Sequence, residues 1–394
     1  MKKQTQAIHL EYERRDAYDS LSVPVYNTLA YEFDNAAVMA EAFTDKIKAP
    51  DYSRVENPTV TNLERRVAAL TDAAHATAFN SGMAAISNTL MALSAQGKNI
   101  VTSKHLFGNT YALLVATLRR FGVKVRLRDL TNIEAVREAI DDDTCCVFLE
   151  ILTNPQLEVA DLKAISEVAH EKNVPLVVDS TVIPFTQFSA KSQGVDIEVV
   201  SSSKYVSGGA TSLGGLVIDY GTPYNGDFAK RLYGEMLFNF GAYMTPQVAY
   251  MQTIGLETLD ARYRVQSSNA LELAKKLRSL PQIKLVNYVG LEDNPYHELA
   301  QRQFGKTAGA MICIDLESKE ACFSFLNNLK LIHRATNLFD NRSLAIHPAS
   351  TIFGAFSENM RKSMDVKDTT IRLSIGLEDV DDLFEDIKQA VDSL

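Results

Sequence analysis

Between residues 61 and 218, short apolar runs alternate with stretches of helical spacing. Leu63, Val67 and Leu70 share one face of a helix predicted over 61–70, because residues three and four apart lie together on a helix. His75–Phe79 is a short apolar run, and 83–95 reads as the next helix. The alternation continues with strand 100–101, helix 111–121, strand 123–127, helix 133–140, strand 145–151 and helix 161–171. Strands at 175–178, 197–201 and 214–218 close the series. Continuous apolar strands separated by amphipathic helices require crossover connections and a sheet covered on both faces, which is the pattern of a mostly parallel α/β sheet. Ligands of such sheets bind beyond the carboxyl ends of the strands, so polar residues just past a strand are the ones to weigh.

After Tyr220 the pattern changes. A helical stretch over 248–274 leads into alternating segments near 283–289 and 310–316, then helices over 321–329 and 380–394, an α+β arrangement. The beginning of the chain is irregular and has no core of its own, as expected of an arm that packs on a neighbouring subunit. The expected organisation is an N-terminal arm over 1–56, an α/β domain over 57–255 and a smaller C-terminal α+β domain over 256–394.

Composition narrows the function classes. The 394 residues carry 49 Asp plus Glu against 40 Lys plus Arg, a net charge of −9. The basic pairs Lys2-Lys3, Arg14-Arg15, Arg65-Arg66, Arg119-Arg120 and Lys275-Lys276 are scattered, which speaks against nucleic acid as a partner. The four cysteines show no spacing suited to a metal and are expected as free thiols in a reducing cytoplasm. The start of the chain lacks an apolar signal core, and no apolar run approaches the roughly 20 residues that span a bilayer, so neither export nor a membrane is expected.

Five segments could carry chemistry. Lys204 follows a buried strand and three hydroxyls, Ser201, Ser202 and Ser203. A desolvated lysine loses its proton easily and forms a Schiff base with a carbonyl, although a solvated lysine in a Ser-rich turn reads the same way. Asp179 ends the run Pro175-Leu176-Val177-Val178, with Thr181 two residues on. It suits either a helix cap or a protonated ring nitrogen. Asn80-Ser81-Gly82-Met83 lies between a strand and a helix, where free N–H groups serve an anion or an ordinary N-cap. The glycine-dense stretch from Gly208 to Gly215 is a flexible turn or a close approach, and no phosphate-loop Gly-Lys-Ser/Thr follows it. Arg372 stands inside the strand-like Ile371-Arg372-Leu373-Ser374-Ile375, where its fork needs a carboxylate from a ligand or from an internal salt bridge. Together these are what pyridoxal phosphate needs to act on an amino acid.

From Pro24-Val25-Tyr26 to Leu377-Glu378-Asp379 the chain resembles the Cys/Met-metabolism family of pyridoxal-phosphate enzymes, the cystathionine γ-synthase-like group of fold type I. The resemblance implies a mostly parallel seven-stranded sheet with flanking helices and a smaller C-terminal α+β domain. It implies pyridoxal 5'-phosphate on Lys204, Asp179 at the pyridine nitrogen with Thr181 beside it, and Ser81, Gly82, Met83, Ser201 and Ser203 around the phosphate. Phe107 takes the ring-stacking place where many members have Tyr. Asn154 is implied near the ring oxygen and the substrate carboxylate, Arg372 as the main carboxylate anchor and Asn337 as a second contact. Tyr52 and Arg54 resemble the segment that reaches a neighbouring subunit's phosphate, which implies a homotetramer built of two active dimers.

The subfamily is implied by two positions. Thr211 stands where synthases and lyases usually carry an acid, as in O-acetylhomoserine sulfhydrylases. Asn109 replaces the reactive cysteine of methionine γ-lyases. Gly209, where a His is usual, departs from both patterns. Phe107 cannot transfer a proton, so Tyr52, Lys204 or water would do so. The expected reaction is γ-replacement on O-acetyl-L-homoserine by sulfide or a thiol, giving homocysteine or methionine and acetate in methionine biosynthesis. Methionine or cystathionine γ-lyase and cystathionine γ-synthase are the alternatives, and a non-catalytic binding protein on the same fold is a remote one. Acetyl against succinyl as leaving group, and the physiological sulfur donor, stay open at this point.

Overall fold

A computed structural model describes residues 1–10, 16–44 and 46–394. Arg14 and Arg15 of the arm lie outside the described residues. The larger of two sheets has seven strands: β1 (His75–Phe79), β2 (Asn99–Thr102), β3 (Lys124–Leu127), β4 (Thr144–Glu150), β5 (Leu176–Asp179), β6 (Ile197–Val200) and β7 (Gly215–Asp219). Their order is β1-β7-β6-β5-β4-β2-β3. The five strands from β3 to β6 are parallel, and β7 runs antiparallel to both β6 and β1. Two reversals restore the direction of β1, so it ends on the same rim as β4, β5 and β6.

The strand periodicity explains the apolar runs. Leu176 and Val178 of β5 enter the core on one face of the sheet, while Val177 joins Ile197, Val199 and Val217 on the other. Both faces are covered by helices, so alternate side chains are equally apolar. The helices start where local chemistry dictates. Asn57 caps Pro58–Thr71, with proline in the first turn, and Ser81 caps Gly82–Leu93. The predicted helix over 111–121 is instead three pieces, Gly108–Ala112, a π-helical turn Leu113–Thr117 and a 3-10 turn Leu118–Phe121, ended by Gly122 at φ 79°. Apolar spacing does not register a widened turn, so the break was hidden in the pattern.

The second sheet holds β8 (Leu285–Asn287), β9 (Met311–Asp315), β10 (His333–Arg334), β11 (Leu344–Ile346) and β12 (Thr370–Ser374) in the order β10-β11-β12-β9-β8. The stretch predicted over 248–274 is two helices, Pro246–Glu257 and Leu259–Leu277. One hydrophobic core runs from Leu63 and Val178 to Phe325 and Leu383, joining the two sheets. The irregular reading of the chain's beginning needs correction, because Lys3–His9 and Ala36–Ala42 are helices. The first of these docks on its own chain: Lys3 donates to the Phe185 and Phe188 carbonyls, and Arg66 donates to Ala7 O. Among the described residues no helix is long and apolar enough to cross a membrane.

Candidate active site

The carboxyl ends of β1, β4, β5 and β6 converge. Asp179 and Glu150 are the last residues of β5 and β4 and stand opposite each other in register. Ser201 to Lys204 follow β6, and Ser81 follows β1. Thr181 ties two of these ends together, donating its N–H to Asp179 Oδ1 at 2.9 Å and accepting from Ser201 N at 2.8 Å. Gly82 packs so closely on Ser201 that a Cβ at 82 would lie 2.6 Å from the Ser201 Cβ. Glycine is therefore what lets the helix start abut the β6 loop and present there the first-turn N–H groups that Ser81 does not cap.

The second sheet supplies the opposite wall. Arg372, in β12, is 2 % exposed. Its Nη1 donates to Asn154 Oδ1 at 3.2 Å, and its Nη2 to the Thr336 and Asn337 carbonyls at 3.3 Å each. Its buried Nε has no partner, and among the described residues no acidic side chain pairs with it. Asn337 accepts a 2.8 Å hydrogen bond from Lys204 Nζ, so the lysine and the arginine share one short segment. Of the expected site residues, Lys204, Asn337, Arg372 and Asn154 form one connected network, and Asp179, Thr181, Ser201, Ser81 and Gly82 another.

Charges in this pocket are poised by burial. Desolvation lowers Lys204 to about 8, assisted by the Arg372 charge and opposed by Asp179. Burial lowers Arg372 to about 10. Burial raises Asp179, against the hydrogen bonds of Thr181 and the charge of Lys204. Glu150 is pushed far above the usual carboxylate range by burial and by the neighbouring Asp179.

The remaining expected residues are placed as follows. Phe107 begins the helix at Gly108, and its N–H is held by Glu150 Oε1 at 2.5 Å. Met83 lies under the buried Thr110, whose hydroxyl is 3.9 Å from its sulfur. The Ser203 hydroxyl is engaged with Gly214, donating to its carbonyl at 3.1 Å and accepting from its N–H at 2.9 Å. Thr211 donates to Ser207 O at 2.5 Å, closing a turn. Tyr52 and Arg54 stand apart: the Arg54 guanidinium sits 5.4 Å over the Tyr52 ring and donates to Phe238 O, and Tyr52 is 41 % exposed. Neither is bonded to the Lys204 network. Gly209 has a reason to lack a side chain, since its φ is 126° and a Cβ there would lie 2.4 Å from Asn341 Nδ2. Sequence reasoning missed Glu150 as the support of Phe107 and Thr336 as a partner of Arg372. A carboxylate closing a buried strand was the available signal for the first, and a backbone carbonyl leaves none.

The donor set fits pyridoxal phosphate. An anion cradle lies where Gly82 meets Ser201, a buried carboxylate ends β5, a depressed lysine faces it and an orphaned guanidinium nitrogen awaits a second anion. Residues 4–392 match the model of the Cys/Met metabolism PLP-dependent enzyme family. An L-methionine gamma-lyase of Fusobacterium nucleatum subsp. polymorphum is 37% identical over 99% of this chain and 98% of its own. The O-acetyl-L-homoserine sulfhydrylase of Corynebacterium glutamicum is 31% identical over 98% and 95%. A solved structure from Campylobacter jejuni, described as an O-acetylhomoserine (thiol)-lyase and carrying N'-pyridoxyl-lysine-5'-monophosphate, is 34% identical with a TM-score of 0.94, covering 100% of both chains.

Proposed function

The chain belongs to the Cys/Met metabolism PLP-dependent enzymes, and within that family we propose γ-replacement on O-acetyl-L-homoserine by sulfide, giving L-homocysteine and acetate. The observation that carries an amino-acid substrate is Arg372, a buried cation with an unpaired Nε and no acidic partner among the described residues. An α-carboxylate supplies the missing anion in the two-point geometry that a guanidinium favours. Thr211, where synthases and lyases usually carry an acid and O-acetylhomoserine sulfhydrylases carry threonine, and Asn109, where methionine γ-lyases carry a reactive cysteine, favour the sulfhydrylase reading. The similarity to the Corynebacterium glutamicum and Campylobacter jejuni proteins agrees with that choice.

When bound, pyridoxal phosphate supplies an aldehyde that condenses with amines and a ring that draws negative charge from adjacent carbons. Ser81, Gly82, Met83 and Ser201 would hold its phosphate, Phe107 its ring face, Asp179 its ring nitrogen and Lys204 its aldehyde. Arg372 and Asn154 orient the substrate carboxylate. Lys204, once free, is half neutral near its depressed pKa of about 8 and takes the α-proton. Asn337 fixes the amine through its 2.8 Å hydrogen bond. Lys204 would hand the α-proton on to the bound group and, neutral again, take a β-proton; acetate departs from the γ-carbon with its bonding electrons, hydrosulfide adds to that carbon, and one proton returns to each of the α- and β-carbons. Phe107 carries no hydroxyl, so these transfers fall to Lys204, to water or to Tyr52 of a neighbouring copy. We assign Tyr52 and Arg54 to that neighbouring site on the family resemblance, with which their detachment from the Lys204 network of their own chain is consistent; this calls for at least an active dimer, and a tetramer of two such dimers is the assembly we propose.

A second reading, γ-elimination to 2-oxobutyrate and ammonia, is favoured by the 37% identity to the Fusobacterium nucleatum γ-lyase. Lys204→Ala should abolish turnover while the cofactor still binds, and retained wild-type turnover would refute the role. Release of acetate from O-acetylhomoserine that depends on sulfide supports replacement, whereas release at the same rate without sulfide supports elimination.

A further inference from the structure

His105 lies outside the proposed chemistry, yet both of its ring nitrogens meet carboxylates. Nδ1 is 2.5 Å from Glu158 and Nε2 is 2.8 Å from Asp365, and the side chain is only 11% exposed. Neutral imidazole has one N–H, so two carboxylates can be bonded together only by imidazolium. The three residues come from three segments. His105 is two residues before Phe107, on a loop braced by Ser103 Oγ to His105 N at 2.9 Å. Glu158 closes a tight hairpin with Thr153, its carbonyl accepting from Thr153 N–H and its own N–H donating to Thr153 Oγ1, each at 3.0 Å, and that hairpin carries Asn154. Asp365 follows the helix Glu358–Ser363, and the adjacent Met364 carbonyl accepts from Gln156 of the same hairpin at 2.7 Å.

We propose that His105 is a positioning residue: as an imidazolium bridging Glu158 and Asp365, it holds the loop of Phe107 and the hairpin of Asn154 in the spacing that seats an amino-acid substrate. This rests on the reading that Phe107 and Asn154 border that substrate. Burial alone would lower the imidazole pKa, but the hydrogen bond and charge of Glu158, with the bond to Asp365, outweigh it and the net shift is upward. The clamp is therefore intact below the ordinary histidine range and opens as pH rises through the raised value. The other charged or titratable groups facing it are Lys104, which pairs with Asp365 at 2.7 Å, Asp129 on the turn after β3, and Tyr296 near Glu158. Lys104 opposes the positive ring and Asp129 supports it.

The test is the dissociation constant of L-norleucine, an amino acid with no γ leaving group, read from the absorbance of the cofactor-loaded enzyme from neutral to alkaline pH. Wild type should lose affinity by roughly fivefold or more on the alkaline side, beyond the loss shared by all variants through Lys204. Glu158→Gln is near-isosteric, and its amide can donate to a deprotonated ring nitrogen. It should keep neutral-pH affinity and lack the extra alkaline loss. His105→Ala should bind weakly at every pH, with KM raised more than kcat is lowered, and His105→Gln should recover part of the affinity without the pH dependence. Profiles of wild type, Glu158→Gln and His105→Ala that superimpose would overturn the proposal. A wild type that shows no norleucine signal would instead overturn the substrate-site reading on which it rests.

Discussion

Replacing Arg372 by Met separates substrate binding from folding. The guanidinium is 2 % exposed, so solvent does not screen what it binds. Two charge-assisted hydrogen bonds to a carboxylate in such a site contribute about 1.5–3 kcal/mol each. Their loss, about 3–6 kcal/mol, corresponds to a fall in kcat/KM of roughly two to four orders of magnitude. The fold should barely respond. Among the described residues Arg372 pairs with no acid, so its removal strands no charge there, and the hydrogen bonds lost to Asn154, Thr336 and Asn337 are long, at 3.2–3.3 Å. The desolvation that pulls Arg372 to about 10 is relieved at the same time. Stability should change by less than about 2 kcal/mol in either direction. Steady-state kinetics with O-acetylhomoserine, cofactor absorbance and thermal unfolding are the assays. A KM near wild type, or a variant that loses the cofactor or unfolds, would refute the reasoning.

Other consequences are equally specific. In the cofactor-free protein, labelling of Lys204 by an amine reagent, followed by peptide mass spectrometry, should reach half its maximum near pH 8. The midpoint should rise in Arg372→Met, which removes a repelling charge, and fall in Asp179→Asn, which removes an attracting one. Gly82→Ala should weaken cofactor binding in a fluorescence titration and cost about 1–3 kcal/mol in denaturant unfolding, because the new Cβ would lie 2.6 Å from Ser201. Gly209→Ala should cost about 1–3 kcal/mol through its φ of 126° and the contact with Asn341. Asn341→Gly should recover the contact part in a double-mutant cycle, leaving the backbone part.

Much of the site was legible because it sits where short-range sequence pattern is informative. Asp179 and Lys204 follow continuous apolar strands, and Arg372 interrupts one, so chemistry stands out against burial. What pairs with what was not legible. Lys204 meets Asn337 133 residues away, and Arg372 meets Asn154 218 residues away. No local spacing encodes such contacts. The carboxylate that braces Phe107 and the imidazole that bridges Glu158 and Asp365 escaped for the same reason. Strands β10 and β11 escaped because two or three residues are too few to show alternation. The close approach of Gly209 to Asn341 is a tertiary fact, visible in the sequence only as a glycine where the family resemblance leads one to expect histidine.

In γ-replacement the γ-carbon is refilled by sulfur rather than left empty. This is tested by supplying O-acetyl-L-homoserine to the loaded enzyme and measuring the ratio of homocysteine to 2-oxobutyrate as sulfide is raised from zero. The ratio should climb with sulfide until homocysteine dominates, with one acetate released for each homocysteine. A product stream of 2-oxobutyrate and ammonia that sulfide leaves unchanged would contradict it.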